Sequence, residues 1–151
     1  PDFAGLYLSL EVARSDADFH VDRLYAFAAD LDATIVRTAI CRAVIDVNRD
    51  PSGASLYPGQ ATTGLCPTTA FDGTPLYHEG REPSAQEIQR RRAAYFDPYH
   101  QTLTAEIARL RERHERIVLY DVTISKGRLV YTNEVGLPVA FRPGEVTPTN
   151  W

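Results

Sequence analysis

Charge-poor apolar runs that alternate with helical patterns predict an α/β fold. The expectation is a mainly parallel sheet flanked by helices, in a single domain over residues 1–151. Three runs carry the sheet. "ATIVRTAI", "AVIDV" and "IVLYDV" are rich in β-branched residues and poor in charge, as strands covered on both faces are. Two segments carry the helices, "DADFHVDRLYAFAADL" and the stretch that opens at Ser84. The length suits one domain with its own core.

In chain order, "LYLSLEV" (Leu6 to Val12) alternates apolar and polar residues and reads as a strand. The helix from Asp18 to Leu31 gathers Phe19, Leu24, Phe27, Ala28 and Leu31 roughly on one face, and Asp16 and Asp18 suit its positive end. The next two runs are the expected buried strands. Residues 48–83 then form a long irregular segment, well beyond the roughly 12–15 residues usual for a structureless loop. Leu56, Tyr57, Leu65, Phe71, Leu76 and Tyr77 should anchor it against the domain around a site. Ser84-Ala-Gln-Glu87 is a capping-box pattern that opens a helix running to about His114, with Pro98 expected to kink or split it. Ile107 and Leu110 should face inward, and Arg90, Arg91 and Arg92 read as a solvated face. After the strand "IVLYDV", "TISKGRLVYT" reads as a hairpin turning at Lys126-Gly127, and the rest as a strand and tail.

Composition excludes some functions. Hydrophobic residues make up 44% and charged residues 24%, an ordinary globular balance. With 16 basic against 20 acidic residues the net charge is -4, so a general nucleic-acid binder is not expected, although local clusters can still hold a small anion. No apolar run is long enough to span a membrane, and no leader opens the chain. The two cysteines, Cys41 and Cys66, lack metal or redox spacing and read as reduced thiols of a cytoplasmic protein. Pro1 is open to two readings, a catalytic amine or a residue left by processing.

Sites in open α/β sheets form at the carboxyl ends of strands. Two expected strands end in polar clusters, one at Asn48, Arg49 and Asp50 and the other at Asp121. An arginine beside an asparagine can grip a carboxylate, because the guanidinium fork matches its two oxygens. Arg42 adds a second cation. The alternative is that Arg49 and Asp50 pair with each other and pin the loop. In the cluster Asp18, His20 and Asp22, the two carboxylates share a helix face while His20 points elsewhere. His20 or Asp22 could hold a metal, or the cluster is an exposed turn with a capping aspartate. His78, His100 and His114 lack ligand spacing, and neither a nucleophile elbow nor a phosphate loop occurs.

"DADFHVDRLYAFA", "RAVIDVNRDPSGASLYPGQATTGLCPTTAFDGTPLY", "EIQRRRAAYFDPYHQTL" and "IVLYD" together resemble consecutive blocks of the N-formylglutamate amidohydrolases, also called N-formylglutamate deformylases. The resemblance covers Asp16 to Asp121, with an atypical hairpin and tail over 122–151. It implies a truncated version of the zinc-carboxypeptidase or phosphorylase/hydrolase-like sandwich. It also implies hydrolysis of N-formyl-L-glutamate to L-glutamate and formate in histidine degradation. The alternative is a catalytically inactive dicarboxylate-binding remnant, or an engineered scaffold, of the same family. Carried over, Asn48 and Arg49 grip the substrate carboxylate and Arg42 assists. Zinc, with Asp22 and His20 as metal residues, would polarise the formyl carbonyl and lower the pKa of its water toward ~7. The family's histidine motif after the first strand has no counterpart in "LYLSLEVARSD". Thr123 stands where a ligand histidine is expected. The portion that supplies a catalytic glutamate has no counterpart, leaving only Glu134 and Glu145. Expected partners are a small dicarboxylate, no nucleic acid and no membrane, with homo-oligomerisation left open.

Overall fold

A computed structural model of the chain describes residues 3–52, 63–125, 128–132 and 138–140. The expected parallel sheet between helix layers does not occur among them. They hold helices and turns joined by irregular chain, and their only strands are three short antiparallel ones: β1 (Thr123–Ser125), β2 (Arg128–Thr132) and β3 (Pro138–Ala140). Thr123 stands opposite Val130, and Ser125 opposite Arg128. The connection at Lys126-Gly127 and the residues beyond 140 lie outside the described residues.

Local side-chain chemistry explains where the expected strands went. In "LYLSLEV", Ser9 caps a helix, its hydroxyl accepting the Glu11 and Val12 amides at 3.2 and 3.4 Å. The chain therefore makes a 3-10 turn (Ala4–Leu6) and then α1 (Leu10–Arg14), since serine competes for the backbone and favours a cap over a strand interior. "AVIDV" is buried as expected, with Ile45 only 1% exposed. It is a turn, however: the Cys41 carbonyl accepts from the amides of Val44 and Ile45, and Asp46 Oδ1 accepts the Asn48 amide at 3.0 Å. "ATIVRTAI" and "IVLYDV" form no ladder before β1, and Ile35, Val118, Leu119 and Tyr120 are exposed.

The chain divides into two compact units, residues 1–17 with 36–107 and residues 18–35 with 108–151. The first contains the buried core, in two clusters. Tyr7, Ala13, Ala43, Ala70, Leu76 and Tyr77 form one. Val44, Ile45, Leu65, Cys66 and Phe96 form the other. The long segment after Asn48 is thus anchored by Leu65, Leu76 and Tyr77, whereas Leu56 and Tyr57 lie outside the described residues. Its turn at Asp72-Gly73 closes the bridge between Thr69 and Pro75, and Gly73 takes a φ of 88° that suits glycine.

In the same unit Ser84 caps α3 (Ala85–Arg91), its hydroxyl accepting the Glu87 amide at 3.2 Å. A π-helical turn (Arg92–Phe96) leads into α4 (Asp97–Arg111). Pro98 has no N–H to continue the ladder, and the Asp97 amide reaches back to the Arg92 carbonyl, so the split falls where proline predicts it. The second unit contains α2 (Val21–Leu24) and a 3-10 turn (Ala26–Leu31) in place of one continuous helix. Phe19, Leu24, Phe27 and Leu31, its expected inward face, are exposed.

Candidate anion site around Asp46

The turn from Cys41 to Asp50 brings two cations onto one buried carboxylate. Asp46 is buried, and its amide donates to the Leu65 carbonyl at 2.8 Å. Its Oδ2 accepts Arg42 Nη2 at 2.8 Å and lies 3.6 Å from Arg49 Nε. The longer separation is an ion pair without a hydrogen bond, and Arg49 Nε is buried with no hydrogen-bond partner among the described residues.

The two arginines are held differently. Arg42 also donates to Thr63 Oγ1 at 3.2 Å, and its guanidinium carbon lies 4.1 Å from the centre of the Phe71 ring. Phe71 is itself fixed by its amide, which donates to Asp16 Oδ2 at 2.6 Å. Arg42 is therefore engaged by a carboxylate, a hydroxyl and a ring face. Asn48 is exposed beside Arg49. Asp50 does not take Arg49 as partner: its Oδ1 accepts the Ser52 amide at 2.7 Å, and its bonds to Ser52 hold its pKa below the ordinary value.

Arg42 also borders a small open cleft lined by Val12, Ala13, Asp16, Ala43, Thr63, Pro67, Thr69 and Leu76. In the same compact unit Arg91 is 0% exposed, which corrects the expectation of a solvated face. Arg91 Nη1 donates to the Val44 carbonyl and to the Tyr77 hydroxyl, each at 3.0 Å, and its Nε to Glu87 Oε1 at 2.9 Å. Burial opposes its charge, but the bonds to Tyr77 and Glu87 outweigh it and hold its pKa above the ordinary value. Burial and the Tyr77 hydroxyl push Tyr7 up as well. Burial raises Cys66, so this thiol is a poor nucleophile. His100 rests on Phe96 with ring centres 4.2 Å apart, and its Nε2 bonds the Val47 carbonyl at 2.9 Å, one residue before Asn48.

Arg42 and Arg49 thus meet at one carboxylate, with Asn48 adjacent in the chain. His20 and Asp22 belong to the other compact unit. His20 precedes α2 with φ 63°, and both residues are exposed. No group of three or more histidine, cysteine or acidic side chains that could hold a metal occurs among the described residues. Sequence reasoning missed Asp46 and the Glu87–Arg91 pair. The signal was present in both cases: Arg42 to Asp46 and Glu87 to Arg91 are spaced four residues apart, and Asp46 stands two before Asn48.

The family model of N-formylglutamate amidohydrolase matches residues 1–125, a span that contains the whole Asp46 cluster. The chain belongs to the N-formylglutamate amidohydrolase family. It is 42% identical over 144 residues to the N-formylglutamate deformylase of Pseudomonas putida, covering 89% of this chain and 54% of that protein. It is 40% identical over 126 residues to the N-formylglutamate deformylase of Pseudomonas aeruginosa, covering 83% of this chain and 47% of that protein. The chain spans about half the length of these curated relatives. No solved structure matches it. Among the described residues no helix is long and apolar enough to cross a membrane.

Proposed function

We propose that the chain serves the hydrolysis of N-formyl-L-glutamate to L-glutamate and formate, and that its described part supplies the grip on a substrate carboxylate. One observation carries the second statement. Arg49 Nε lies 3.6 Å from buried Asp46 while part of the Arg49 side chain stays exposed, in a family-matching segment where Asn48 is exposed next to it. A carboxylate would meet the exposed part of that guanidinium through a charge-assisted bond, with Asn48 as a neutral donor and Arg42 adding positive potential. Similarity to the two N-formylglutamate deformylases supports the substrate.

Zinc is the metal that the resemblance implies. Catalytic zinc takes three protein ligands and a water. His20 and Asp22 offer two donors, and no third stands with them among the described residues, so this donor set does not fit the ion. In the overall reaction water adds its oxygen to the formyl carbon, the C–N bond breaks, and the nitrogen leaves as the amine of glutamate. The shortfall of donors favours a second reading, retention of the dicarboxylate without turnover. Two free cysteines, Cys41 and Cys66, support a reducing, cytoplasmic setting for either reading.

Calorimetric titration with N-formyl-L-glutamate tests the grip. Binding is expected, weakened about tenfold or more by Arg49→Gln, which loses a charge-assisted bond. Equal affinity in the two proteins would remove Arg49 from the site.

A further inference from the structure

We infer that Asp46 is the positioning residue of this clamp: by taking Arg42 as its close partner it fixes the Arg49 guanidinium beside it, with the exposed part of the Arg49 side chain left for a ligand carboxylate. The inference rests on the reading of Arg49 as the ligand's partner. The asymmetry of the cluster carries it. One oxygen of Asp46, Oδ2, stands 2.8 Å from Arg42 Nη2 and 3.6 Å from Arg49 Nε. A carboxylate oxygen engaged by a short charge-assisted bond still attracts a second cation and holds it in place. Arg42 does not compete for the ligand on equal terms, since Thr63 and the face of Phe71 also hold it.

The other oxygen has a separate task. Oδ1 accepts the Asn48 amide at 3.0 Å and so sets the backbone from which Asn48 and Arg49 project. The Asp46 amide bond to Leu65 ties this turn to the buried core. Asp46 therefore orders both side chains of the clamp while sitting too deep to be a ligand contact itself.

Positioning and plain charge balance differ in sign. If Asp46 only offset positive charge, removing its charge would strengthen the binding of an anion. If it positions the clamp, the same change weakens binding. Asp46→Asn removes the charge at nearly constant size. Asp46→Glu keeps the charge but moves the carboxylate by one methylene. Both are titrated with N-formyl-L-glutamate in the full chain, beside wild type, Arg49→Gln and the double variant Asp46→Glu/Arg49→Gln. The expected result is a loss of about tenfold or more in each single variant, with the double variant binding no more weakly than Arg49→Gln alone, because both changes act on one interaction. Unchanged or tighter binding in Asp46→Asn overturns the inference, as do losses in the double variant that multiply. If near-ultraviolet dichroism shows that Asp46→Asn does not fold, the comparison of Asp46→Glu with the double variant decides. An effect of Asp46 that is absent while Arg49→Gln weakens binding sinks this inference alone. Wild type that does not bind, or Arg49→Gln that binds as wild type does, overturns the site reading and this inference with it.

Discussion

Arg91 is the residue on which the first unit turns. A fully buried guanidinium has lost its hydration; Val44, Tyr77 and Glu87 replace the water at Nη1 and Nε, while Nη2 is buried without a hydrogen-bond partner among the described residues. Arg91→Met fills similar space but leaves the Tyr77 hydroxyl and the Val44 carbonyl short of a donor. A loss of about 3 kcal/mol or more is expected, read from the shift of the urea unfolding midpoint. Glu87 gives the same network a pH dependence. Its bonds from Arg90 and Arg91 lower its pKa to about 2. The unfolded chain regains a pKa of roughly 4.3, so the stabilisation is complete above that value and is lost as pH falls toward the folded one. Glu87→Gln should lower stability at neutral pH and flatten its dependence between these limits, as urea unfolding at several pH values would show. The spacing of Glu87 and Arg91 was legible in the sequence, but their burial was not. A run of three arginines resembles a solvated face until a fold places Phe3 and Tyr77 against one of them.

Elements show the same balance between pattern and context. Ser84 and Glu87 announced the start of α3, and Pro98 announced the break before α4, because a cap and a missing N–H act within one turn of chain. Ser84→Ala should therefore cost about 1 kcal/mol, measurable as a lower unfolding midpoint with an unchanged denaturant slope. The strands were misread for a related reason. Burial of Val44 and Ile45 follows from their side chains, whereas a ladder needs a partner that sequence pattern does not specify. Ser9 and Asp46 offered the backbone a nearer acceptor, and turn or helix resulted. The Asn48-Arg49 pair stood out because the guanidinium fork has a chemistry of its own. Asp46, which accepts from Arg42 and from the Asn48 amide, was passed over as one polar residue inside an apolar run.

On the scale of the whole molecule, the two units differ in how their apolar residues are used. The first buries Tyr7, Ile45, Leu76, Tyr77 and Phe96. The second leaves Phe19, Leu24, Phe27, Leu31, Ile35, Val118, Leu119 and Tyr120 exposed, with Leu31 and Val118 each 72% accessible. Exposed aromatic and aliphatic side chains at this density should bind a hydrophobic dye. The chain is expected to enhance anilinonaphthalene sulfonate fluorescence in native buffer, and replacing Phe27 and Leu31 with serine should reduce the signal. Family membership, by contrast, rests on the first 125 residues and on identity to the two deformylases, of which the chain spans about half. The measurement that tests the account most directly is glutamate release from N-formyl-L-glutamate by the purified chain, with and without added zinc and with Arg49→Gln alongside. Release matched by formate, and reduced about tenfold or more in Arg49→Gln, is the predicted result. No release under either condition would contradict hydrolysis as the function of this chain.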